Sequence, residues 1–411
     1  MKGIIAVAFS LFLLPGGVWA QSVSPPPAQE KTEERLRALE ERIRALEEEL
    51  RAVKAAQTTA AAPPAEVAQA PAPPPAPSYG QLGGAGGSAA KALNPDISVI
   101  SDFLGAVGRN RVRPVPALEM HESELSLQAI VDPYARGDVF LAFSPEGVEI
   151  EEAYLTFTSL PGGLTAKVGK MRADFGKVNT THNHALPWTD RPLVTENLVN
   201  GEEGIGDAGV SLSRILPAPK GIFLEATGQA FRGDSGTLFV ANRRDDISVV
   251  GRLRGYGDIT ENTNLEMAFS YARGHNDMGS SFLTNLYGID TTLRWKPLRR
   301  AIYHSFLWRN EFVWSRRDEL VGQQRAFGMY SAAEYRVNRR WTMGGRFDWS
   351  ERPTNASQRD AGFSALLTYW PSEFSQIRGQ YRFTRYDGKQ DANELRFQFL
   401  FVLGAHGAHV F

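Results

Sequence analysis

The chain has 411 residues, a net charge of −1 and no cysteine. A near-neutral balance argues against a nucleic-acid-binding protein, which would carry a basic excess, so we expect no nucleic acid among its partners. The lack of cysteine excludes disulfides and thiolate metal sites. A mean hydropathy of −0.29 is too polar for a helical membrane protein, but strands that alternate apolar and polar residues remain compatible with a membrane β-barrel.

Residues 1–20 have the organisation of a secretory signal peptide. Lys2 precedes an apolar run from Ile4 to Leu14, and Val18, Trp19 and Ala20 end the segment with a small residue. The apolar run is shorter than the roughly 20 residues that span a bilayer as a helix, which disfavours an uncleaved anchor. We therefore expect the mature chain to begin at Gln21.

Residues 21–57 contain a heptad repeat that predicts a periplasmic coiled coil. The apolar a and d positions, and hence the predicted oligomerisation residues, are Leu36, Leu39, Ile43, Leu46, Leu50 and Val53. In a parallel coil the facing g and e positions are Arg35–Glu40, Arg42–Glu47 and Glu49–Lys54. Each of these pairs is opposite in charge, which a lone amphipathic helix does not explain. Leucine at position a leaves two or three strands open, and we expect a trimer only because of the barrel that follows.

Residues 58–93 are rich in alanine, proline and glycine, and this composition predicts a linker. The proline part is stiff, and the glycine part around residues 83–87 is flexible by composition. Its expected role is to hold the coil away from the membrane in the periplasm.

Residues 94–411 predict an all-β fold, a transmembrane antiparallel β-barrel of about 16 strands. The clearest hairpin, residues 151–175, alternates apolar and polar residues on both sides of a turn at Pro161, Gly162 and Gly163. The last strand places Leu395, Phe397, Phe399, Phe401 and Leu403 on one face, and the chain ends on Phe411. An even number of strands returns both termini to the periplasm, where the coil must lie.

The loops are expected to be short at one end of this barrel and longer at the other, as in outer-membrane barrels. The longer polar segments are 108–118, 176–206, 232–244, 274–281, 317–324, 351–358 and 386–392.

The longest loop, Phe175–Asp207, joins the predicted fifth and sixth strands. In sixteen-stranded porins the third external loop has this position and folds inward to constrict the pore. We expect the same here, with a solvated surface lid as the alternative. The candidate residues of this constriction loop are His182, His184, Asp190, Arg191, Glu202 and Glu203.

The alternation also predicts which charged residues face the lumen. The predicted pore-lining bases are Lys167, Arg252, Arg254, Arg294, Arg309, Arg346, Arg378, Arg382 and Arg396. The predicted inward acids are Glu225, Glu266, Asp290, Glu311, Glu334 and Asp348. Fixed arginines in a narrow pore attract anions, which predicts a mild anion preference opposed by the acidic loop. For any single arginine, bracing of the wall by a salt bridge with Glu334 or Asp348 is at least as good an interpretation.

Histidines provide a second hypothesis, because imidazole and carboxylate groups suit zinc and other transition metals. His182 and His184 lie in a loop rich in carboxylates, and His406 and His409 lie near the C-terminus. A His-x-His pair in a loop is a weak pattern, so we predict no resident metal and no cofactor, with His182 and His184 as the alternative metal ligands. No sequence motif of a hydrolase, metalloprotease or phosphate-binding loop is present, and we do not expect an enzyme.

The order of parts resembles the phosphate-selective porin O/P family of Gram-negative outer membranes. The local similarity lies in the segments Glu152-Ala153-Tyr154, Val168-Gly169-Lys170, Phe175-Gly176-Lys177 and Arg191-Pro192. The resemblance implies a signal, a short leucine-rich coil and a trimeric sixteen-stranded barrel. It also implies a phosphate channel with stacked arginines and lysines, whereas the arginines of this sequence are scattered and its loop is acidic.

These observations predict a trimeric porin in the outer membrane of a Gram-negative-type bacterium, in contact with lipid and passing small inorganic or polar solutes. One alternative is a zinc-uptake channel that uses His182 and His184. A second is a structural anchor whose coil and linker tether the outer membrane.

Overall fold

The computed structural model describes residues 41–42, 44–45, 48, 95–387 and 390–404. Within the predicted coil these are five exposed residues in helical conformation. The signal peptide, the linker and the C-terminal histidines lie outside the described residues, so the interpretations placed on them stay predictions. The same is true of the six oligomerisation positions Leu36, Leu39, Ile43, Leu46, Leu50 and Val53.

The barrel has sixteen strands, so the fold predicted from the alternation is confirmed. The strands are β1 Asp96–Arg109, β2 Leu118–Asp132, β3 Ala135–Ser144, β4 Gly147–Leu160, β5 Leu164–Arg172, β6 Gly206–Leu216, β7 Ile222–Phe231, β8 Ser248–Thr260, β9 Thr263–Asn276, β10 Gly279–Trp295, β11 Ser305–Asp318, β12 Gln323–Arg336, β13 Trp341–Arg352, β14 Asn355–Ser372, β15 Ser375–Tyr386 and β16 Gln390–Gly404. Two short helices lie between β5 and β6, a 3-10 helix Asn183–Ala185 and the α-helix α1, Leu193–Leu198. Among the described residues, no helix is long and apolar enough to cross a membrane.

Each strand pairs with its sequence neighbours in antiparallel register, and β1 pairs with β16 to close the ring. The closing register runs from Ser98 opposite Gly404 to Arg109 opposite Asn393. We call the end of the barrel where β1 starts and β16 finishes the termini end, and the opposite end the loop end. Closure leaves no open strand edge, since every strand has a partner on both sides.

Four of the longer segments predicted at the loop end are instead continuous hairpins. β9 and β10, for example, extend to residues 276 and 279 and are joined by a tight turn, and the predicted loops 317–324, 351–358 and 386–392 are shortened in the same way. The connections that are long at this end follow β1, β5 and β7. Asp277, Gly322 and Pro353 lie in three of these turns, but the strands continue through the polar residues around them.

The outer face of the barrel is apolar. Side chains at alternate positions of the strands are exposed in the isolated chain although they are large and hydrophobic, among them Val168, Leu212, Leu253, Phe269, Phe347, Phe363, Leu395 and Phe399. Such an extended apolar surface requires a non-aqueous neighbour, and lipid contact is the arrangement typical of membrane barrels.

Two rows of aromatic side chains border this apolar face. The row at the termini end contains Trp295, Phe306, Tyr335, Trp341 and Tyr369, and the Trp341 and Tyr369 rings lie 4.6 Å apart. The row nearer the loop end contains Tyr271, Tyr287, Trp314, Phe327 and Trp349, with ring centroids 5.1–5.7 Å apart. On β11, residues 306 and 314 belong to different rows, and a strand tilted by about 40° separates them by roughly 20 Å along the barrel axis. This spacing is close to the height of the lipid-facing band of outer-membrane barrels.

The inner face contains a hydrophobic core at mid-height. Apolar inward side chains of the strands, including Val250, Ala272, Leu286, Val313, Ala326, Tyr330 and Leu366, are buried there. They pack against the segment between β5 and β6, which enters the barrel. A lumen filled only with water would not require apolar residues at these inward positions.

Substitution of Met267 by arginine tests whether the outer band faces lipid. Met267 lies on the outer face of β9, midway between Thr263, which pairs with Trp295, and Tyr271, which pairs with Tyr287. A charge at the bilayer midplane costs about 2–4 kcal/mol, compared with about 0–1 kcal/mol near the interface. We expect Met267→Arg to lower the free energy of unfolding by that larger amount, measured by urea titration of protein refolded into lipid vesicles. The matched control is Ile259→Arg at the termini end of β8, and equal losses in both variants would contradict a lipid-facing band.

Candidate functional site

The segment between β5 and β6, residues 173–205, folds into the barrel, and we call it the inner loop. Its side chains Phe175, Leu193 and Val194 have no measurable exposure, and Trp188 is 1% exposed. The Trp188 ring packs edge to face against Tyr330 of β12 at a centroid distance of 5.3 Å. These contacts place the loop inside the lumen and not over its mouth.

The loop begins with a turn that only glycine fits. Gly176 has a φ of +63°, which is favourable for glycine and costly for other residues. A Cβ atom there would overlap the carboxylate of Glu311 on β11. The Gly176 amide donates to Ser270 Oγ at 3.1 Å, and its carbonyl accepts from the guanidinium of Arg252. The entry of the loop is therefore fixed against β8, β9 and β11.

Asp190 fixes the middle of the loop to the far wall. Its carboxylate lies 2.8 Å from the guanidinium of Arg346 and 2.7 Å from that of Arg382, and it accepts a hydrogen bond from Gln380 at 2.5 Å. Burial by itself would raise the pKa of Asp190, but the charges of Arg346 and Arg382 outweigh it and hold the pKa below its usual value. Arg346 also pairs with Asp348 at 2.7 Å. This buried network connects the loop to β13 and β15.

Arg191 holds the loop to itself. Its guanidinium donates to Asn183 Oδ1 at 2.9 Å and to the carbonyls of Val178 and Thr181 at 3.1 and 2.9 Å. Burial, followed by the positive charge of Arg172, lowers the pKa of Arg191 to about 10. Its contacts are with loop atoms, so the structure places Arg191 as an internal brace and not on an open pore surface.

His182 and His184 face the opposite wall, formed by β2 and β4. His182 Nδ1 lies 2.5 Å from Glu124 Oε2, and its Nε2 lies 2.8 Å from Glu152 Oε2. His184 Nδ1 lies 3.2 Å from Glu122 Oε1. Both imidazoles and all three carboxylates are buried. The two histidines that the sequence offered as metal ligands thus meet carboxylates that are remote in sequence.

The negative charge around His182 raises the pKa of its imidazole. Burial would lower the pKa of His182, but the negative charge of Glu151 and hydrogen bonds to Glu124, Glu151 and Glu152 outweigh it and hold the pKa well above its usual value. Four carboxylates, Glu122, Glu124, Glu151 and Glu152, lie within 3.7 Å of ring nitrogens of His182 or His184. Arg172 compensates one of them through an ion pair with Glu151. The site therefore favours positive charge.

Glu202 and Glu203 lie at the end of the loop, beside a cavity of about 1240 Å³ at the loop end. Glu202 Oε2 lies 3.8 Å from His121 Nε2, and its contact with His121 lowers the pKa of Glu202 despite the opposing effect of burial. Burial raises the pKa of Glu203, and the nearby charge of Glu149 adds to this. Both side chains border the cavity inside the barrel, so they contribute to its wall and not to the packing of the loop.

Six of the nine bases that the sequence predicts to line the pore form ion pairs. Arg252 pairs with Asp290 at 2.9 Å, Arg254 with Glu225 at 2.7 Å and Arg309 with Glu334 at 2.5 Å. Arg346 and Arg382 share Asp190 as described, and Arg396 lies 3.2 Å from Glu394. The bracing that the sequence left open thus applies to these six.

The other three bases have different neighbours. Lys167 stacks 4.6 Å above the Tyr154 ring, and Arg378 donates to Gln398 at 2.5 Å and to Thr368 at 3.3 Å. No carboxylate of the described residues lies within ion-pair distance of Lys167, Arg294 or Arg378. All three lie near the termini end, where β5 starts, β10 finishes and β15 starts.

Sequence reasoning missed the acidic wall of β1, β2 and β4. Glu122 and Glu124 alternate with Ser123 and Leu125, and this alternation was an available signal. His121 and Glu151 offered no such signal, because each is the extra residue at a register shift, between β1 and β2 and between β3 and β4. A β-bulge turns an additional side chain inward, so simple alternation assigns these two incorrectly.

Comparison with known proteins supports the architecture. No family model matches the chain. Among solved structures, the barrel is similar to an anion-selective porin from Comamonas acidovorans, with a TM-score of 0.55 and 9% identity over 75% of this chain and 99% of that one. It is also similar to OprB of Pseudomonas putida (TM-score 0.54, 7% identity, 77% and 96% covered) and to the outer membrane channel DcaP of Acinetobacter baumannii (TM-score 0.51, 10% identity, 75% and 96% covered). At these identities the similarity shows the fold alone.

A protein of Aquifex aeolicus (strain VF5), described as an uncharacterized protein, is 30% identical to this chain over 389 residues. The alignment covers 78% of this chain and 81% of the Aquifex protein. Identity of this degree over most of both chains indicates common descent. The chain therefore belongs to the same family as this Aquifex aeolicus protein.

Proposed function

We propose that the protein is a porin of the outer membrane through which small hydrophilic solutes diffuse passively. The observation that carries this proposal is a closed sixteen-strand barrel with an apolar outer band and a loop packed inside its lumen. The similarity in fold to an anion-selective porin, OprB and DcaP supports it. The same similarity does not favour the zinc-uptake channel or the structural anchor.

The inner loop sets the narrowest section of the proposed pore. It packs against β11, β12, β13 and β14 through apolar contacts on one side and against β2 and β4 through polar contacts on the other. Solutes enter from the cavity at the loop end, which is lined by the inner loop, by β1 to β6 and by residues of β15 and β16. This arrangement admits small solutes and excludes large ones.

The selectivity that we propose is a mild anion preference. Six of the nine inward bases are neutralised by carboxylates. The attraction for anions therefore comes from Lys167, Arg294 and Arg378 at the termini end. Phosphate is the first anion to test, because the segments around residues 152–192 resemble the phosphate-selective porin O/P family. The acidic wall at the loop end opposes this preference and keeps it mild.

Single-channel recording in a planar bilayer tests the proposed porin and its oligomeric state together. We expect stepwise conductance on insertion of the purified protein. We also propose a trimer held by the coil of residues 21–57, so each inserted particle is expected to close in three equal steps. Removal of residues 21–57 is expected to reduce the fraction of three-step particles. Protein that is folded by circular dichroism but conducts no ions would contradict the porin.

Neutralisation of the unpaired bases tests the proposed selectivity. We expect the triple change Lys167→Gln, Arg294→Gln and Arg378→Gln to move the reversal potential in a potassium chloride gradient towards cation selectivity, because fixed positive charge is removed from the lumen. The matched control is Arg299→Gln, an exposed arginine in the turn at the same end of the barrel. A reversal potential unchanged in the triple variant would eliminate these bases as the selectivity determinant.

Substitution of Asp190 by asparagine tests the role of the inner loop. The variant leaves Arg382 without a carboxylate and weakens the hold on Arg346, and loss of one partner of a buried ion pair costs about 3–5 kcal/mol. We expect larger and noisier single-channel conductance, because the loop is released from β13 and β15. Asp245→Asn, the same change at an exposed residue of the β7–β8 connection, is the control and should conduct as the unaltered protein does. If Asp190→Asn conducts like the control, the loop does not set the pore size.

A further inference from the structure

The contacts of His182 and His184 form more than an anchor for the inner loop. Glu124, His182 and His184 each offer one atom that could bind a metal ion, and these three atoms lie within 4.8 Å of one another. A second group, Asp102, His121 and Glu122, meets the same condition. Glu122 belongs to the second group and also contacts His184 of the first, at 3.2 Å. The two groups are therefore adjacent, and the contact between Glu122 and His184 connects them.

The chemistry of these donors matches a divalent transition-metal ion. Two imidazoles and a carboxylate are the ligands that zinc takes in sites with an open fourth position, at bond lengths of about 2.0–2.2 Å. Ligand atoms around such an ion lie roughly 3.4 Å apart. The three atoms lie within 4.8 Å of one another, and the 2.5 Å contact between His182 Nδ1 and Glu124 Oε2 would open by about 1 Å to admit the ion. Magnesium and calcium prefer oxygen ligands alone, so a pair of histidines disfavours them.

The second shell has the arrangement that metal-binding histidines require. His182 Nε2 lies 2.8 Å from Glu152 Oε2, on the ring edge opposite the nitrogen that faces Glu124. A carboxylate in this position fixes the tautomer of the imidazole and increases its basicity as a ligand. The other nitrogen, Nδ1, faces Glu124 and is the one that would bind the ion.

The second group provides an independent observation. Asp102 is 1% exposed, and its Oδ2 accepts a hydrogen bond from Gln398 at 3.0 Å. Its Oδ1 is buried with no hydrogen-bond donor among the described residues. A buried carboxylate oxygen without a partner is costly, and a cation held by Asp102, His121 and Glu122 would satisfy it. His121 and Glu122 also line the cavity at the loop end, which gives an ion a route inward.

We propose that Glu124, His182 and His184 form a transition-metal site of the zinc type that fastens the inner loop to the wall of β2, with Asp102, His121 and Glu122 as an adjoining cation site on the path from the cavity. Glu124 lies on the wall and both histidines lie on the loop, so one ion links the two directly. The ion is a resident clamp that binds and stays, unlike a transported solute. The site goes beyond the proposed porin function, since zinc binding is measured without reference to conduction.

Zinc binding by the full-length chain, without an affinity tag and stripped with EDTA in detergent, tests the proposal. We expect tight binding by competition with a chromophoric chelator and a zinc X-ray absorption spectrum with the scattering of two imidazoles. The double variant His182→Ala and His184→Ala should lose at least about a hundredfold in affinity, as removal of two of three protein ligands requires. His275→Ala is the matched control, because His275 lies 3.7 Å from Asp246 but outside both groups.

Two further variants keep the result unambiguous. His406→Ala with His409→Ala removes the C-terminal pair, and we expect zinc binding at the proposed site to persist in it. Glu152→Gln retains both loop histidines and should weaken zinc binding by roughly 10–100-fold through the second shell, which holds even if the double alanine variant fails to fold. Affinity unchanged in Glu152→Gln and in the loop double variant, or lost only with the C-terminal pair, would overturn the proposal.

Discussion

A sheet surrounded by lipid has no water to satisfy the backbone groups of an open edge, so β1 must pair with β16 along nearly its whole length. This closure fixes the register of every strand in between. Register in turn fixes which side chains face out, since a slip by one residue would exchange the two faces. In β16, Phe397 would then face the lumen, and its neighbour Arg396 would face lipid. The separation of an apolar exterior from a charged interior therefore depends on the hydrogen bonds of that seam.

The features set by local periodicity were open to prediction from the sequence, and those set by contacts across the barrel were not. Alternation in residues such as 395–403 identified the strands, and the length of the segment after β5 identified the loop that enters the lumen. The partners of that loop lie far away in sequence, as Thr189 and Gln380 illustrate. No spacing rule connects them. Inward apolar residues such as Leu286 and Val313 did carry a signal, because a pore wall exposed to water does not need them.

The interior is organised by the distribution of charge along the axis as well as around it. Carboxylates of β1, β2 and β4 collect towards the loop end, where His121, His182, His184 and Arg172 meet them. Lys167, Arg294 and Arg378 lie towards the termini end. Between these levels, the buried network of Asp190, Arg346 and Arg382 connects the loop to the wall. The charges in this middle layer are paired, so they hold the loop in place and add little net electric field. The difference in charge along the barrel axis therefore comes from the residues at the two ends.

The contacts of the inner loop extend around almost the entire circumference, from Glu124 on β2 through Glu311 on β11 to Gln380 on β15. A nascent barrel that lacks either its first or its last strands offers the loop only part of this binding surface. Complete docking of the loop therefore requires the first and the last strands of the barrel to be in place together. A chain without its first or last strands forms no closed ring, and the loop finds its full set of partners only when the whole barrel is present.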